Sequence, residues 1–370
     1  MAKVLEIGNY PPPMCGWAIQ TKLVTEELRR RGHVCDVLNI SESRKKKSPE
    51  YVDVQNGLDY LQKVLRFTLR GYRIHVHVNA ESPKGYLLAL IALLASRMAG
   101  RAAMLTFHGG LPQTFFPRPD SRLLRWAYRL LFRLAGRISC DSPPIKSAIE
   151  AYGIHPDRVA AIPCFSSELL EFRTATLSGE TESFLANHAP VFFCYVSYRP
   201  EYRLEVLREA RRRFRVQHPR AGFIWLGFPE KEMPPVRESV ARWPADEARS
   251  LHLLGNVAHE EFLTLMTRCF ACVRTPACDG ISASVLEALA LGVPVVASEN
   301  DRRPPGVITY REMDAADLCE KLIYLVEHYD EVKSHTQPVD AENNTKRTAD
   351  WLLGVSPAPS APEKELAHVG

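Results

Sequence analysis

The 370-residue sequence has no long apolar run. Its longest, GYLLALIALLA from Gly85, ends after about a dozen residues, short of the roughly 18–20 a membrane-spanning helix needs. The start, MAKVLEIG, is too short and too charged for a secretory leader and reads as a first strand, so a cytoplasmic location is expected. A disulfide framework is missing as well. The nine cysteines are scattered, mostly inside apolar runs, as reduced buried thiols would be. Cys269 and Cys272 spell C-x-x-C, but no second pair or nearby histidine follows, and Cys272 sits in the strand-like ACVRT. Core packing is therefore expected there rather than structural zinc or redox chemistry. The G-x-G-x-x-G fingerprint is also lacking, which argues against a nicotinamide enzyme.

What is present suits two apolar cores. Hydrophobic residues make up 46% and charged residues 24% of a chain too long for one typical domain. Charge is unevenly placed: residues 1–170 hold 24 Lys+Arg against 14 Asp+Glu, and residues 171–370 hold 23 against 29. The first part is thus +10 and the second −6. A basic first part can meet an anionic membrane surface or acceptor, or can simply carry solvated faces.

Strand-like and helix-like segments alternate throughout, the pattern of βαβ units on a parallel sheet. VLEIG, VCDVLNI, RIHVHVN, AAMLTFHG, RISCDS and VAAIPC read as strands of a first domain, residues 1–168. Residues 166–189 read as the connection. VFFCYVS, AGFIWLGF, LHLLGNV, ACVRT and PVVAS then read as strands of a second domain, residues 169–334. A further helix is expected within 335–354, packing back on the first domain through Trp351, Leu352 and Leu353. The Pro/Ala/Ser-rich tail, 355–370, is expected to be disordered.

In open α/β folds ligands bind beyond the carboxyl ends of the strands, so loops after strands are where chemistry is sought. GNYPPPMCGWAIQ is a Pro-braked loop in which Gly16 opens a helix whose amides could face an anion. TFHGG puts His108 at a strand end, beside Gly109 and Gly110, which allow close backbone approach. His75 and His77 alternate within a strand and are expected to pack or cap it. VRTPACDGISASVLEALA is strand, glycine turn and helix, an arrangement that offers amides to a phosphate. Asp279 sits in that turn, and Glu287 falls about one turn into the helix. Carboxylates there suit ligand hydroxyls, though a turn-shaping Asp and a dipole-complementing Glu are the simpler alternative.

These segments together resemble the retaining glycosyltransferases of the GT-B fold, family 4 type. Asp279 to Glu287, followed by EALA and GVPVVAS, resembles that family's E-x7-E signature. PPPMCGW, LRRRGHVCDVL, TFHGG, CDSPPIKSAIEAYGI, AAIPC and LLGNVAHEEFLTLM resemble its other segments in order and spacing. The resemblance implies an α/β, GT-B architecture, with two Rossmann-like domains facing across a cleft. It implies transfer of a hexosyl group from a nucleotide-diphosphate sugar to an acceptor hydroxyl, with anomeric retention and neither metal nor cofactor. Glycan, polysaccharide or glycolipid assembly is the setting. Glu287 would hold the ribose hydroxyls and Asp279 the donor sugar. The amides of Gly280, Ile281, Ser282 and Ala283 would line sugar and diphosphate. His108 would lie near the reacting sugar and Gly16 near the diphosphate, with Cys15, Trp17, Gly109 and Gly110 on the acceptor side.

Three departures stand out. The family's diphosphate-gripping Arg and Lys fall on Ser197 and Tyr202, leaving Arg199, Arg203, Arg274 and the Arg302–Arg303 pair as the nearest cations. Cys15 replaces a loop glycine, with Trp17 close behind, and Asp279 is one methylene shorter than Glu. Arg118, Arg122, Arg125, Arg129, Arg133 and Arg137 form one helical stripe, expected opposite Leu123, Leu124, Trp126, Leu130, Leu131 and Leu134. Such a helix can lie on anionic lipid or face water over a buried leucine side. No stacking platform suggests nucleic acid. A nucleotide-sugar epimerase of the same fold and a catalytically silent GT-B-like binding protein are the competing readings.

Overall fold

The computed structural model describes residues 1–11, 16–277, 282–336 and 342–355. It divides into two compact units, Met1–Cys164 with Asn343–Gly370, and Phe165–Glu342. The predicted tail beyond Val355 falls outside the described residues.

Unit 1 begins with β1 (Lys3–Gly8), α1 (Gly16–Arg30), β2 (Val34–Asn39), α2 (Gly57–Leu69) and β3 (Arg73–Val78). There follow α3 (Pro83–Met98), β4 (Met104–Phe107), α4 (Arg122–Leu134), β5 (Arg137–Cys140), α5 (Pro143–Glu150) and β6 (Val159–Ala161). The six strands form one parallel sheet in the order β2-β1-β3-β4-β5-β6. One face, through Leu5, Ile7, Ile74, Val76, Leu105, Phe107 and Ile138, carries the larger core. Along β4 the alternation that turns Leu105 and Phe107 to that core turns Met104 and Thr106 to the other face. Val4 and Met104 pack there with Val24 and Leu28 of α1.

Unit 2 has α6 (Gly179–Asn187), β7 (Val191–Tyr195), α7 (Leu204–Gln217), β8 (Gly222–Phe228), α8 (Met233–Ala241) and α9 (Ala245–Arg249). Then come β9 (Leu251–Gly255), α10 (His259–Arg268), β10 (Ala271–Arg274), α11 (Ala283–Ala290) and β11 (Val295–Ser298). β12 (Val307–Tyr310), α12 (Ala315–Glu327) and α13 (Tyr329–His335) complete it. Its parallel sheet runs β12-β11-β10-β7-β8-β9, with an apolar cluster on each face.

α14 (Asn344–Leu353) returns to unit 1, where Ala349, Trp351 and Leu352 join the cluster beneath α1. The Trp351 indole donates to the Ile138 carbonyl at 3.1 Å, and Arg137 lies over its ring.

Local differences from the sequence expectations have simple causes. α6 forms inside the stretch read as connection, because Ser178 caps it by accepting from the Thr181 amide. α7 starts at Leu204 rather than near Glu201, after a short 3-10 turn over Pro200–Tyr202 that leaves Arg203 at φ +49°. β12 (VITY) was not read as a strand. It is short and half-buried, and it follows β11 with only a loop between. Cys269 and Cys272 both lie in an unbroken apolar cluster, and burial pushes the Cys272 thiol up to about 12, as core packing requires.

Candidate functional site

At the carboxyl end of the first sheet, parallel register lines up polar residues that lie far apart in sequence. Glu6 pairs with His75 across β1 and β3, His77 with Thr106 across β3 and β4, and Thr106 with Ser139 across β4 and β5. All five are buried. Glu6 Oε2 lies 2.7 Å from His75 Nδ1 and 3.1 Å from His77 Nε2. His77 Nδ1 is 2.9 Å from His108 Nε2, with the two rings stacked at 7°. Burial would raise the Glu6 carboxyl, yet the two histidines hold it down at about 2. Burial, aided by His75 and His108, pushes His77 down to about 3, so it is neutral near pH 7.

His108, just past β4, is 5% exposed, and both of its nitrogens face protein groups. Opposite the His77 contact, Nδ1 lies 3.2 Å from Cys164 Sγ and 3.5 Å from Asp141 Oδ1. Asp141 Oδ2 accepts from the Gly109 amide at 2.9 Å. Gly109 adopts φ +98°, and a Cβ there would come within 2.7 Å of Gln113 Nε2, so no larger residue fits this turn. Gln113 in turn donates to the carbonyls of His108 and Gly110 at 2.8 and 3.0 Å. Gly8 is also tightly placed, since a Cβ would meet His77 and Thr21 at 3.0 Å. Gly16 opens α1, and the Trp17 ring lies 4.7 Å from that of His108. Cys15 lies outside the described residues.

In unit 2, Asp279, Gly280 and Ile281 lie outside the described residues. Ser282 caps α11, of which Ala283 is the first residue; the Ser282 carbonyl accepts from the Val285 and Leu286 amides at 3.1 Å. Glu287 is buried in this helix, its Oε1 2.8 Å from Nε2 of His259 at the start of α10. Arg274 is also buried: its Nη1 donates to the Tyr195 carbonyl at 2.8 Å, and its guanidinium lies over the Tyr195 and Tyr202 rings. Arg303 bridges the ends of β10 and β11, donating to Pro276 O at 2.6 Å and Ser298 O at 2.8 Å.

After β7 the chain binds its own anion. Glu232 Oε2 accepts from Ser197 Oγ and the Tyr198 amide, each at 2.7 Å, and its other oxygen is 3.7 Å from Arg199 Nε. Arg203 points instead to Glu312, at 3.2 Å.

On the outer side of unit 1, the residues of α4 facing its core are Tyr128, Leu131 and Phe132. Leu123 and Trp126 are 74% and 63% exposed, beside the arginines rather than opposite them, a correction to the predicted face. Arg122, Arg125, Trp126, Arg129 and Tyr152 line a cavity of about 330 Å³. Among the described residues, no hydrogen bond or ion pair engages the guanidinium groups of these three arginines.

Sequence reasoning did not single out Glu6, Asp141, Cys164, His259 or Glu232. For Asp141 and Cys164 a signal was available, since both stand just beyond a strand, in CDS and IPC.

Residues 16–164 match the family model of a glycosyl transferase 4-like domain. No curated protein matches the sequence. Among solved structures, Anabaena HepE in complex with UDP and glucose is similar over 95% of both chains, at 16% identity and TM-score 0.65. Sucrose-phosphate synthase of Thermosynechococcus elongatus is similar over 95% of both, at 14% and 0.67. A putative UDP-N-acetylglucosamine 2-epimerase of Listeria monocytogenes is similar over 95% of this chain and 94% of its own, at 15% and 0.64. Two six-stranded parallel sheets with flanking helices make this the α/β GT-B fold.

Proposed function

We propose that the protein is a retaining glycosyltransferase, moving a hexosyl group from a nucleotide-diphosphate sugar to an acceptor hydroxyl. The observation that carries this reading is Glu287: a buried carboxylate one turn into α11, with one oxygen engaged by His259. A carboxylate so placed suits the paired hydroxyls of a ribose, and the His259 contact fixes its orientation before ligand arrives. Ser282 and Ala283, at the start of α11, are assigned amides for the diphosphate. Transition-state charge would build on that diphosphate, so electrostatic stabilisation of the leaving group is the main catalytic demand. Glu232 marks an anion-accepting cradle of Ser197 Oγ, the Tyr198 amide and Arg199, which a phosphate oxygen could take over once the carboxylate swings out.

Unit 1 is assigned the acceptor, an anionic or lipid-linked glycan, with α4 resting on anionic lipid through its arginines and Trp126. Calorimetry with UDP, GDP, ADP and dTDP sugars tests the donor assignment. Glu287→Ala is expected to weaken the best ligand on the order of 10- to 100-fold, the scale of hydrogen bonds to a charged group. Unchanged affinity would remove Glu287 from the site.

The similarity to a UDP-N-acetylglucosamine 2-epimerase supports a second reading, in which the nucleotide sugar itself is altered. Incubation without acceptor separates the two. An epimerised donor favours that reading, and an unchanged donor that is consumed only when acceptor is added favours transfer.

A further inference from the structure

The hydrogen-bond chain in unit 1 dictates where protons can stand. Ionised Glu6 only accepts, so His77 Nε2, 3.1 Å away, carries the His77 proton. His77 Nδ1 is then a lone pair, and His108 Nε2, at 2.9 Å, must donate to it. The other nitrogen of His108, Nδ1, faces the Asp141 carboxylate and the Cys164 sulfur. Three ligand atoms, His108 Nδ1, Asp141 Oδ1 and Cys164 Sγ, thus converge, and the Cys164 sulfur also lies 3.3 Å from Gln20 Oε1.

Their spacing is that of a metal face. Nδ1, Oδ1 and Sγ are 3.5, 3.2 and 3.0 Å apart pairwise. A tetrahedral ion about 2.3 Å from sulfur and about 2.0–2.2 Å from nitrogen and oxygen sets those separations at about 3.4–3.6 Å. The contacts to sulfur are shorter by a few tenths of an ångström, as fits a hydrogen-bonded thiol that opens when its proton leaves.

The supporting contacts also match a ligand set. The second nitrogen of His108 is tied through His77 to Glu6, a carboxylate–histidine chain that fixes tautomer and ring orientation. The Gly109 amide occupies Asp141 Oδ2 and leaves Oδ1 for the ion. Asp141 and Cys164 are half-buried at the strand ends, so a path from solvent exists. The neighbouring Glu6–His75–His77 group is fully enclosed and serves as support.

We propose that His108, Asp141 and Cys164 form a three-ligand site for a borderline divalent cation of the Zn²⁺ type, with the fourth position open to water or a ligand oxygen. Loading converts Cys164–SH to a metal-bound thiolate and releases its proton to solvent. Metal loading occupies both nitrogens of His108, so a loaded site and a hydrogen bond from His108 to a sugar exclude one another. The proposal does not rest on the glycosyl-transfer reading, because its readout is metal content.

The full chain, stripped with chelator and equilibrated with Co²⁺ or Zn²⁺, is to be desalted and its metal measured by mass spectrometry. One ion per chain is expected, with a thiolate-to-cobalt charge-transfer absorption. Cys164→Ser should abolish that absorption, and Asp141→Asn should weaken uptake at least about tenfold. His77→Gln, a positioning change, should weaken it about 10- to 100-fold. Cys269→Ser should change nothing. Should Cys164→Ser fail to fold, alkylation of the native protein decides: Zn²⁺ is expected to protect Cys164, mapped by peptide mass spectrometry. Absence of stoichiometric uptake, an absorption that survives Cys164→Ser, or unprotected Cys164 would each overturn the proposal.

Discussion

The first sheet hides Glu6, His75, His77, Thr106 and Ser139 in its interior, whereas the central strands of the second present Phe192, Phe193, Trp225 and Val273 there. Unit 2 buries Arg274 at the carboxyl end of β10, and buries a further charge against the sheet rather than within it. Arg211 of α7 is 0% exposed and meets Glu247 of α9 at 3.2 Å, beneath Trp243 at 4.9 Å. Glu247 and Ser250, which also accepts from Arg211, stand just before β9 begins. That is the amino end of the sheet, opposite the end where ligands bind in such folds. Buried charge in unit 1 runs instead toward the carboxyl end, finishing at His108. Within one fold, then, a buried ionic group at the amino end reads as scaffold, and one that leads to the carboxyl end reads as chemistry.

Removing the scaffold charge should have the largest effect. Glu247→Ala leaves Arg211 enclosed without the carboxylate that offsets part of its burial. The expected loss is about 3–5 kcal/mol in urea unfolding of unit 2. The double change Arg211→Met with Glu247→Leu should recover most of it, because apolar groups of similar volume replace such pairs at little cost. If the single and double variants lose the same stability, the pair is not what holds α7 to α9.

Glu6→Gln is the matching change in unit 1, and its cost should depend on pH. The Glu6 carboxyl sits at about 2 in the fold against an ordinary 4.5, so the unfolded chain binds the proton more readily. Its contribution is therefore complete above pH 4.5 and is lost as pH falls from 4.5 toward 2. The difference corresponds to on the order of 3 kcal/mol at neutral pH. Thermal unfolding of wild type and Glu6→Gln should differ most near neutrality and converge in acid. Parallel curves would mean that Glu6 contributes shape and not charge.

The alternation of strands and helices was legible because each buried parallel strand is a short β-branched run between amphipathic segments. His108 could be placed at a strand end because TFHGG breaks so sharply after its apolar run. His77 was not legible as its partner. Whether a strand histidine meets a carboxylate depends on register, and the pairing of Glu6 with His75 crosses 69 positions of sequence. Cys164 ended an apolar run and looked like core, and His259 lies 28 residues from the glutamate it orients. Periodicity reports which way a side chain faces; it does not report what waits across the sheet. The same limit misplaced Leu123 and Trp126, whose helical spacing suited a buried face, while Tyr128 and Phe132 joined the expected Leu131 there.

The smallest effect on stability should come from α4, and it separates surface from scaffold a third time. Trp126 is 63% exposed and lies outside the core clusters of the described residues, so Trp126→Ala should shift unfolding by no more than about 0.5 kcal/mol. Under the proposed lipid contact, its effect falls on vesicle binding. Arg122, Arg125 and Arg129 surround it without carboxylate partners among the described residues, and each arginine near an anionic bilayer contributes about 1 kcal/mol. Replacing all three with Gln should therefore reduce sedimentation with phosphatidylserine vesicles by roughly 100-fold in partition coefficient, and raised salt should mimic it. Trp126→Ala should reduce binding several-fold at any salt, because an indole acts at the interface through its apolar area. Equal binding of all variants to anionic and neutral vesicles would make α4 an ordinary solvated helix.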